Sequence, residues 1–266
     1  MIIIIVRLEF NDNGVLIKKE KPKMQKKQCN NTVKSISNPY PAIEKDGKLS
    51  FGGNQSWFQQ SYLQKVGCGL IACINLLLYL ERYGTGCEEL FDNTSKEKSS
   101  YTLAEYNNYA DWLNKKYFPV IPGVGMIGWF MVWGLNRYFR KHHMKIRAAW
   151  GVRPERLWTC MEEMLSKNLP VILSVGPNFP FVWKKNKLPF YIQNKDGTYV
   201  QACQVSGHYV TVTAMDETWM CISSWGKKYY INRQEYMEYA RRHSGFLVSN
   251  MVYLNLKGIV WKKHII

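Results

Sequence analysis

The feature that most constrains the fold is a helical stretch, Gly69–Arg82, that is apolar on almost every side. Apolar residues between Leu70 and Leu80 cover nearly the whole circumference of a helix, and Gly84 and Gly86 follow it. Such a helix is buried on most sides, because a surface helix keeps a polar face. The chain must therefore surround it, and 266 residues, of which 46% are hydrophobic, suffice for one large domain or two small ones.

The composition excludes several classes of protein. Aromatic residues make up 14% of the chain. Burying them stabilises a fold enough to offset the entropy lost on ordering the chain, so global disorder is excluded. The seven cysteines are odd in number and show no repeated C-x-x-C spacing, which fits neither a disulfide-stapled miniprotein nor a zinc ribbon. Reduced thiols are the simpler interpretation, and we expect no metal or other cofactor.

Helices precede strands along the chain. Capping, glycine and proline signals predict helices at Gly69–Arg82, from Thr102 to about Tyr117, at Trp129–Arg140 and from Pro154 to Asn168. A later helix is predicted from Asn232 to about Arg242. The predicted strands are Val171–Val175, Leu188–Gln193, Tyr199–Gln204, Tyr209–Ala214, Trp219–Ser223, Tyr229–Ile231 and Val248–Asn255. This order predicts an α+β fold with a helical subdomain packed on an antiparallel sheet and a cleft between them.

The formal charge of +16 is unevenly distributed. Lysines concentrate in Lys18–Lys34, and we interpret residues 11–40 as a loosely attached basic arm. The predicted domains are residues 1–45, an N-terminal strand with this arm, and residues 46–266, the main domain. A second basic run, Arg137–Arg147, fits either a patch for nucleic acid or anionic lipid or, as we favour, a solvated helix end and loop.

Several tryptophans allow two interpretations. They either line a substrate groove or fill the core; they are Trp57, Trp129, Trp133, Trp150 and Trp183. We favour the core, because large aromatic side chains more often fill a protein interior.

A membrane span is not expected. The apolar run Met1–Val6 stops at Arg7, whereas crossing a bilayer takes roughly 20 apolar residues. The run also lacks a positive region before it and a small-residue cleavage site after it, so it is not a convincing signal peptide. A cytoplasmic location is favoured, and secretion by another route stays open.

Cys68 stands out among the cysteines because it lies between Gly67 and Gly69 at the start of the apolar helix. The free N–H groups and the positive dipole end of a helix favour a thiolate there and stabilise an oxyanion. The flanking glycines leave room for a substrate carbonyl. Cys73 lies inside the apolar helix and is expected in the core, and no comparable setting surrounds Cys29, Cys87, Cys160, Cys203 or Cys221.

A thiolate nucleophile needs a base opposite it, and His208 is the best candidate. It follows Gly207 at the entrance of an alternating strand, on the same face as Val210 and Val212. The other histidines are His142, His143, His243 and His264, and their basic or terminal surroundings are typical of surface residues. A histidine on the sheet that faces a cysteine on the helix is the geometry of a thiol protease.

These motifs together resemble the papain-like cysteine peptidase superfamily, most closely the bacterial branch similar to double-glycine leader peptidases. The motifs that carry the resemblance occur in the order of that branch; they are Gln55, Gly67-Cys68-Gly69, Gly207-His208-Tyr209 and Ser223-Ser224-Trp225-Gly226. Leu169-Pro170-Val171-Ile172 also looks like the family's strand before the histidine. The likeness covers about residues 50–255.

The resemblance implies a role for each motif. Cys68 would be the nucleophile and His208 the base, and then the acid toward the leaving amine. A glutamine upstream would donate to the oxyanion; Gln55 best matches the pattern, while Gln59, Gln60 and Gln64 remain alternatives. The position for the residue that orients the histidine, an Asn or Asp in the family, is held by Ser223, which stabilises an imidazolium less. Asp216 is a substitute at the far end of the strand, and we discount it; a water-bridged Ser223 or another carboxylate remains open.

We therefore expect a cysteine peptidase or related acyl-transfer enzyme acting on a peptide or protein substrate. Amidase, transglutaminase-like and deamidation activities share this constellation and remain open. The alternative is a catalytically weak papain-like scaffold that acts as a binding protein through the basic arm or the cleft. The basic regions fit an anionic partner. Nucleic-acid binding through the basic regions is the third and least favoured hypothesis. The oligomeric state is open.

Overall fold

A computed structural model describes residues 9–10, 16–17, 33–83, 100–181 and 183–256. The chain divides into two compact units, Met1–Asn31 and Thr32–Ile266. In the first unit, β1 (Glu9–Phe10) pairs antiparallel with β2 (Leu16–Ile17). Most of the predicted basic arm lies outside the described residues, as do Cys29, Cys87, His264, Gly84 and Gly86.

The second unit contains six described α-helices. They are α1 (Ser61–Val66), α2 (Cys68–Tyr83), α3 (Leu103–Lys116), α4 (Gly128–Lys141), α5 (Leu157–Ser166) and α6 (Arg233–Tyr239). Short 3-10 turns lie at Gln55–Trp57 and Pro154–Arg156, and a π turn at Ala240–Ser244 follows α6. The predicted helices are confirmed within a few residues at their ends, whereas α1 was not predicted.

Local sequence explains two of the helix starts. The Thr102 side chain accepts from the Glu105 N–H and the Glu105 carboxylate returns to the Thr102 N–H, which is the predicted capping box of α3. The Asn232 side chain accepts from the N–H groups of Gln234 and Glu235 at the start of α6.

Helix α2 is the centre of the second unit. Every residue from Gly69 to Leu80 is buried, as its apolar circumference predicts. It contacts α3 and α4 among the helices. Its other sides contact two sheet strands described next, so that the first turn of α2 faces the sheet.

The main sheet has seven strands, and every pairing in it is antiparallel. Its strands are β3 (Lys34–Ser35), β8 (Val171–Val175), β9 (Leu188–Gln193), β10 (Tyr199–Val205), β11 (His208–Met215), β12 (Trp219–Ser224) and β13 (Lys227–Asn232). The order is β10-β9-β13-β12-β11, and β11 pairs on its other edge with β8 and then with β3. Strands β8 and β11 are those that contact α2.

Two small sheets complete the unit. Strand β4 (Ile43–Lys45) pairs with β5 (Lys48–Leu49) and with β6 (Tyr101–Thr102), and β7 (Ile146–Trp150) pairs with β14 (Val252–Leu256). The predicted α+β class with an antiparallel sheet is confirmed. The predicted domain boundary lies between residues 45 and 46, whereas β3 and β4 already pair within the unit that begins at Thr32.

The tryptophans divide into two groups. Trp57 and Trp150 are half-buried against the core. Trp129, Trp133 and Trp183 are exposed, with 47%, 56% and 70% of their surface accessible. The core interpretation is therefore wrong for these three.

Within the part of the chain that the structure describes, no helix has both the length and the apolar character needed to cross a membrane.

Candidate active site

A narrow cleft lies between the first turn of α2 and the strands β11 and β12. The lining comes from four separate parts of the chain; it consists of Gly53, Gln55, Cys68, Ile71, Ala72, Asn75, His208, Tyr209, Val210, Thr211, Ser223, Ser224 and Trp225. The structure thus brings all four predicted site residues, Cys68, His208, Gln55 and Ser223, to one cleft.

Cys68 is the first residue of α2. The carbonyl of Gly67 accepts the N–H of Ile71 at 3.0 Å, so the helix begins immediately after this glycine. The helix is 16 residues long and presents its free N–H groups and its positive end at the thiol. The Cys68 side chain is half-buried at the cleft wall.

The glycines on both sides of Cys68 are explained by packing. A Cβ on Gly67 would lie 2.3 Å from the carbonyl oxygen of Leu63. A Cβ on Gly69 would lie 3.0 Å from Met126 Cβ and within 3.3 Å of the Tyr209 ring. Protein atoms therefore fill the space beside both glycines, contrary to the expectation that this space is open to a substrate carbonyl.

His208 is the first residue of β11 and is almost completely buried. Its Nε2 lies 2.8 Å from the hydroxyl oxygen of Ser224. Its ring stacks on the indole of Trp225, with centroids 4.5 Å apart and planes at 22°. Two neighbours thus fix the orientation of the imidazole, one through a ring nitrogen and one through a ring face.

The residue that holds His208 is therefore Ser224, and the prediction of Ser223 for this role is wrong. The Ser223 hydroxyl donates instead to the carbonyl of Phe51 at 2.7 Å. Asp216 lies in the β11–β12 turn and accepts from the N–H groups of Thr218 and Trp219. This agrees with the decision to discount it.

A β-bulge decides between the two serines. Near the turn, Ala214 pairs with Cys221, and this register would place Ser223 opposite Val212, on the face of His208. Between Val212 and Ala214 the register shifts by one, because β11 contains an extra residue. Val212 then pairs with Ile222, and the His208 face meets Ser224 instead. A one-residue shift exchanges the faces of a strand, since side chains alternate.

The turn after Ser224 supplies the stacking ring. Trp225 and Gly226 form the two-residue connection between β12 and β13, with φ of +48° and +71°. Both values belong to the left-handed region of a type I′ hairpin turn, which glycine adopts readily and tryptophan rarely. The hairpin and the stacking on His208 together hold Trp225 in this conformation.

Burial sets the protonation of the pair. It lowers the pKa of His208 to about 4. It raises the pKa of Cys68 above its ordinary value, although the backbone N–H groups of Tyr209, Gly69 and Cys68 oppose that shift. The helix dipole is therefore outweighed by desolvation, and near neutral pH the site holds a neutral thiol and a neutral imidazole.

Among the four candidate glutamines, Gln55 is the one that lines the cleft. Its Nε2 donates to the carbonyl of Gln64 at 2.7 Å and approaches that of Lys65 at 3.3 Å. The Gln64 amide donates to the Phe58 carbonyl, Gln60 donates to Asp111, and Gln59 is exposed.

Asn75 is a cleft residue that the sequence reasoning missed. It is buried in α2, and its Oδ1 accepts from the Gly53 N–H and from the Tyr106 hydroxyl, each at 3.1 Å. It thereby ties the segment that carries Gln55 to α2. The signal was present in the sequence, since an amide inside an otherwise apolar helix needs partners.

The other thiols and histidines that the structure describes do not line the cleft. Cys73 is buried inside α2 as predicted. His142 was expected at the surface, but it is half-buried, and its ring stacks on Tyr138 with centroids 4.1 Å apart.

No group of three histidine, cysteine or acidic side chains suited to a metal ion occurs among the residues with described positions.

No family model and no curated protein matches this chain.

Proposed function

We propose that the protein is a cysteine peptidase, a thiol hydrolase of peptide or amide bonds, with Cys68 as nucleophile and His208 as general base. One observation carries the proposal. A thiol at the first position of a buried helix lines the same cleft as a histidine whose Nε2 is held by Ser224. A nucleophile, a base and an orienting group in this relation are the parts that acyl transfer requires. The helix packed on an antiparallel sheet also supports the papain-like fold that the motifs suggested.

The first step moves one proton and forms one bond. Because Ser224 occupies Nε2, the Nδ1 of His208 is the nitrogen left to accept the Cys68 proton. The tautomer that can do so carries its hydrogen on Nε2 and donates it to the Ser224 oxygen. The sulfur attacks the amide carbonyl carbon, and the carbonyl electron pair moves onto oxygen.

The developing oxyanion needs donors that are already in place. The Cys68 N–H has no partner within its own helix, because it belongs to the first turn. Gln55 has two N–H hydrogens, and its short bond to Gln64 uses one of them. The second has only the longer approach to Lys65, so a negatively charged oxygen competes for it effectively.

Collapse of the intermediate completes the first half-reaction. The His208 imidazolium returns its proton to the leaving amine, the carbon–nitrogen bond breaks, and an acyl thioester remains on Cys68. Water then attacks the thioester with His208 as base. This step releases a carboxylic acid and restores the thiol.

The neutral resting pair limits the rate of this chemistry. Proton transfer has to accompany the attack, because burial lowers the pKa of His208 to about 4 and raises that of Cys68. The Ser224 hydroxyl is uncharged and supports the imidazolium less than a carboxylate would. These two observations favour the second candidate function, a catalytically weak papain-like scaffold that acts by binding.

Alkylation tests the Cys68–His208 pair directly. We expect iodoacetamide to label Cys68 faster than Cys203 or Cys221, because His208, which lines the same cleft, is the proposed base for this thiol. His208→Ala should slow the labelling of Cys68 near neutral pH by about tenfold or more and leave Cys203 unchanged. Because the pKa of Cys68 is raised, its labelling rate should keep climbing through the alkaline range.

Cleavage tests the hydrolase itself. Incubation with a mixture of denatured proteins should create new amino termini, detected by isotope labelling, and Cys68→Ala should abolish them with the fold intact. Equal labelling of all three thiols would contradict the proposed pair. New termini that persist in Cys68→Ala would contradict the proposed nucleophile. If His208→Ala slows the labelling of Cys68 but the wild-type protein creates no new amino termini, the result would favour the binding scaffold.

A further inference from the structure

Exposed apolar side chains are concentrated in a small part of the described chain. Most of the large hydrophobic residues at the surface lie in three segments, residues 121–133, residues 179–183 and Leu247. Val124, Phe130 and Trp183 have 65%, 57% and 70% of their surface exposed. Contiguous exposed apolar patches mark interaction surfaces, whereas apolar residues that are exposed singly need no functional explanation.

Contacts join the three segments into one surface. The Phe179 N–H donates to the His243 carbonyl at 3.0 Å. The Trp150 indole N–H donates to the Leu247 carbonyl at 3.0 Å, and its ring packs 6.2 Å from that of Trp129. We call residues 121–133, 179–181, 183–187 and 243–247 the aromatic–basic face.

The charge within the three segments of this face has a single sign. Residues 112–154, 164–195 and 239–256 contain no aspartate or glutamate. The guanidinium of Arg137 lies 5.6 Å from the Trp133 ring centroid, and the Lys184 ammonium lies 4.8 Å from that of Phe181. Lys185 and Lys187 are exposed beside them. The basic groups therefore lie among the exposed aromatic rings.

This combination matches the interface of a bilayer. Tryptophan and phenylalanine insert at the level of the lipid headgroups, while lysine and arginine bind anionic headgroups around them. A single-stranded nucleic acid also offers phosphates and stacks on aromatic rings. It offers no site for the exposed aliphatic side chains Val124, Ile127 and Leu247, whereas the acyl boundary of a bilayer does.

We propose that the aromatic–basic face binds the surface of an anionic lipid bilayer. The inference goes beyond the proposed hydrolase function and does not depend on it. The face adjoins the cleft, since the Trp150 ring packs 6.4 Å from that of Tyr209, which follows His208. Binding in this way brings the Cys68 cleft close to the membrane surface. It also gives a role to the Arg137–Arg147 run, which the chemistry of the cleft does not use.

Flotation of the full chain with lipid vesicles tests this proposal. We expect the protein to float with mixed phosphatidylserine–phosphatidylcholine vesicles and to bind pure phosphatidylcholine vesicles at least about tenfold more weakly. Tryptophan fluorescence should be quenched when the lipid carries bromine on its acyl chains, because Trp129 and Trp183 then lie within contact distance.

The decisive variant removes aromatic surface and leaves every charge. Trp129→Ser combined with Trp183→Ser should weaken binding to the anionic vesicles by at least about tenfold. The matched control is Leu49→Ser combined with Ile192→Ser, which removes two exposed apolar side chains elsewhere. Lysines outside the face bind anionic vesicles by charge alone, so the aromatic pair decides the question. Thermal unfolding followed by circular dichroism verifies that both variants fold.

Three results would overturn the proposal. The first is absence of the wild-type chain from the floated anionic vesicles. The second is an equal loss of binding in the control and the aromatic variant. The third is undiminished vesicle binding in the aromatic variant while its affinity for single-stranded oligonucleotides falls about tenfold, which would assign the face to nucleic acid.

Discussion

Two histidines of this chain stack on aromatic rings in nearly the same way, yet their surroundings differ. His208 lies over Trp225 at 4.5 Å and 22°, and His142 lies over Tyr138 at 4.1 Å and 20°. Burial lowers the pKa of both. The Nε2 of His208 is held by Ser224, whereas the buried Nε2 of His142 finds no hydrogen-bond partner among the described residues.

The groups around the two rings explain why we propose a catalytic role for one histidine and a structural role for the other. His208 lines a cleft together with a thiol. Tyr138, beneath His142, donates to the buried Glu81 carboxylate, as Tyr109 also does. A stacked, buried histidine with a lowered pKa is thus not a functional signature by itself. The thiol in the same cleft and the hydroxyl bonded to the ring make the difference.

The largest expected effect comes from replacing each histidine in turn. His208→Ala should lower kcat/KM by about 10³-fold, because it removes the proposed base for Cys68 and the proposed acid for the leaving amine. His142→Ala should leave kcat/KM within about twofold and reduce stability by about 1 kcal/mol through the lost stacking. Cleavage assays and urea unfolding measure both. An equal loss of activity in the two variants would contradict the proposed difference in role between His208 and His142.

Because the His208 imidazole is buried, the free energy of unfolding should fall in acid. The folded pKa of His208 is about 4 and lies below its ordinary value, so the unfolded chain binds more protons and stability falls as the pH falls. The loss should begin near pH 6.5 and reach about 2 kcal/mol at about pH 5. Urea unfolding at several pH values measures it, and His208→Phe should flatten the curve. If the wild-type protein and His208→Phe lose the same stability as the pH falls, the loss arises from other titratable groups.

A smaller effect should separate the adjacent serines. Ser224→Ala leaves the His208 Nε2 without its hydroxyl partner, so kcat should fall by about 10- to 30-fold, as for a hydrogen bond to a charged group. Ser223→Ala loses only the bond to the Phe51 carbonyl and should cost about 1 kcal/mol of stability with kcat nearly unchanged. The reverse pattern would restore Ser223 to the orienting role.

The smallest effect concerns Glu81, beside the structural histidine. Glu81→Gln keeps an acceptor for the hydroxyls of Tyr109 and Tyr138 and should change stability by no more than about 1 kcal/mol. Burial raises the pKa of Glu81 in the folded state, so wild-type stability should rise relative to the variant as the pH falls through that pKa. Glu81→Ala is the control and should cost about 2 kcal/mol, because both hydroxyls lose their acceptor. None of these variants should alter cleavage.

Much of the site was predictable because it depends on local signals. Glycine, cysteine and an apolar run specify a helix start at Cys68, and alternation after Gly207 specifies a strand at His208. Gln55 was ranked first of four glutamines by its motif and lines the cleft. The exposed Trp129, Trp133 and Trp183 were assigned to the core, because burial of an aromatic ring depends on what packs over it.

The sequence by itself determined the α+β class, five of the six described α-helices, the strands from β8 onward and the two residues proposed for the chemistry. The helical period of 3.6 residues, the strand period of 2 residues, helix caps and turns all depend on residues close together in the chain. They can therefore be recognised in a single sequence. Only the tertiary structure decided that Ser224 rather than Ser223 meets His208. That choice depends on the extra residue in β11, which shifts the register of a pairing between distant strands. The tertiary structure also decided the protonation of Cys68. Burial raises the pKa of this thiol and outweighs the effect of the helix dipole, which could be predicted from the sequence.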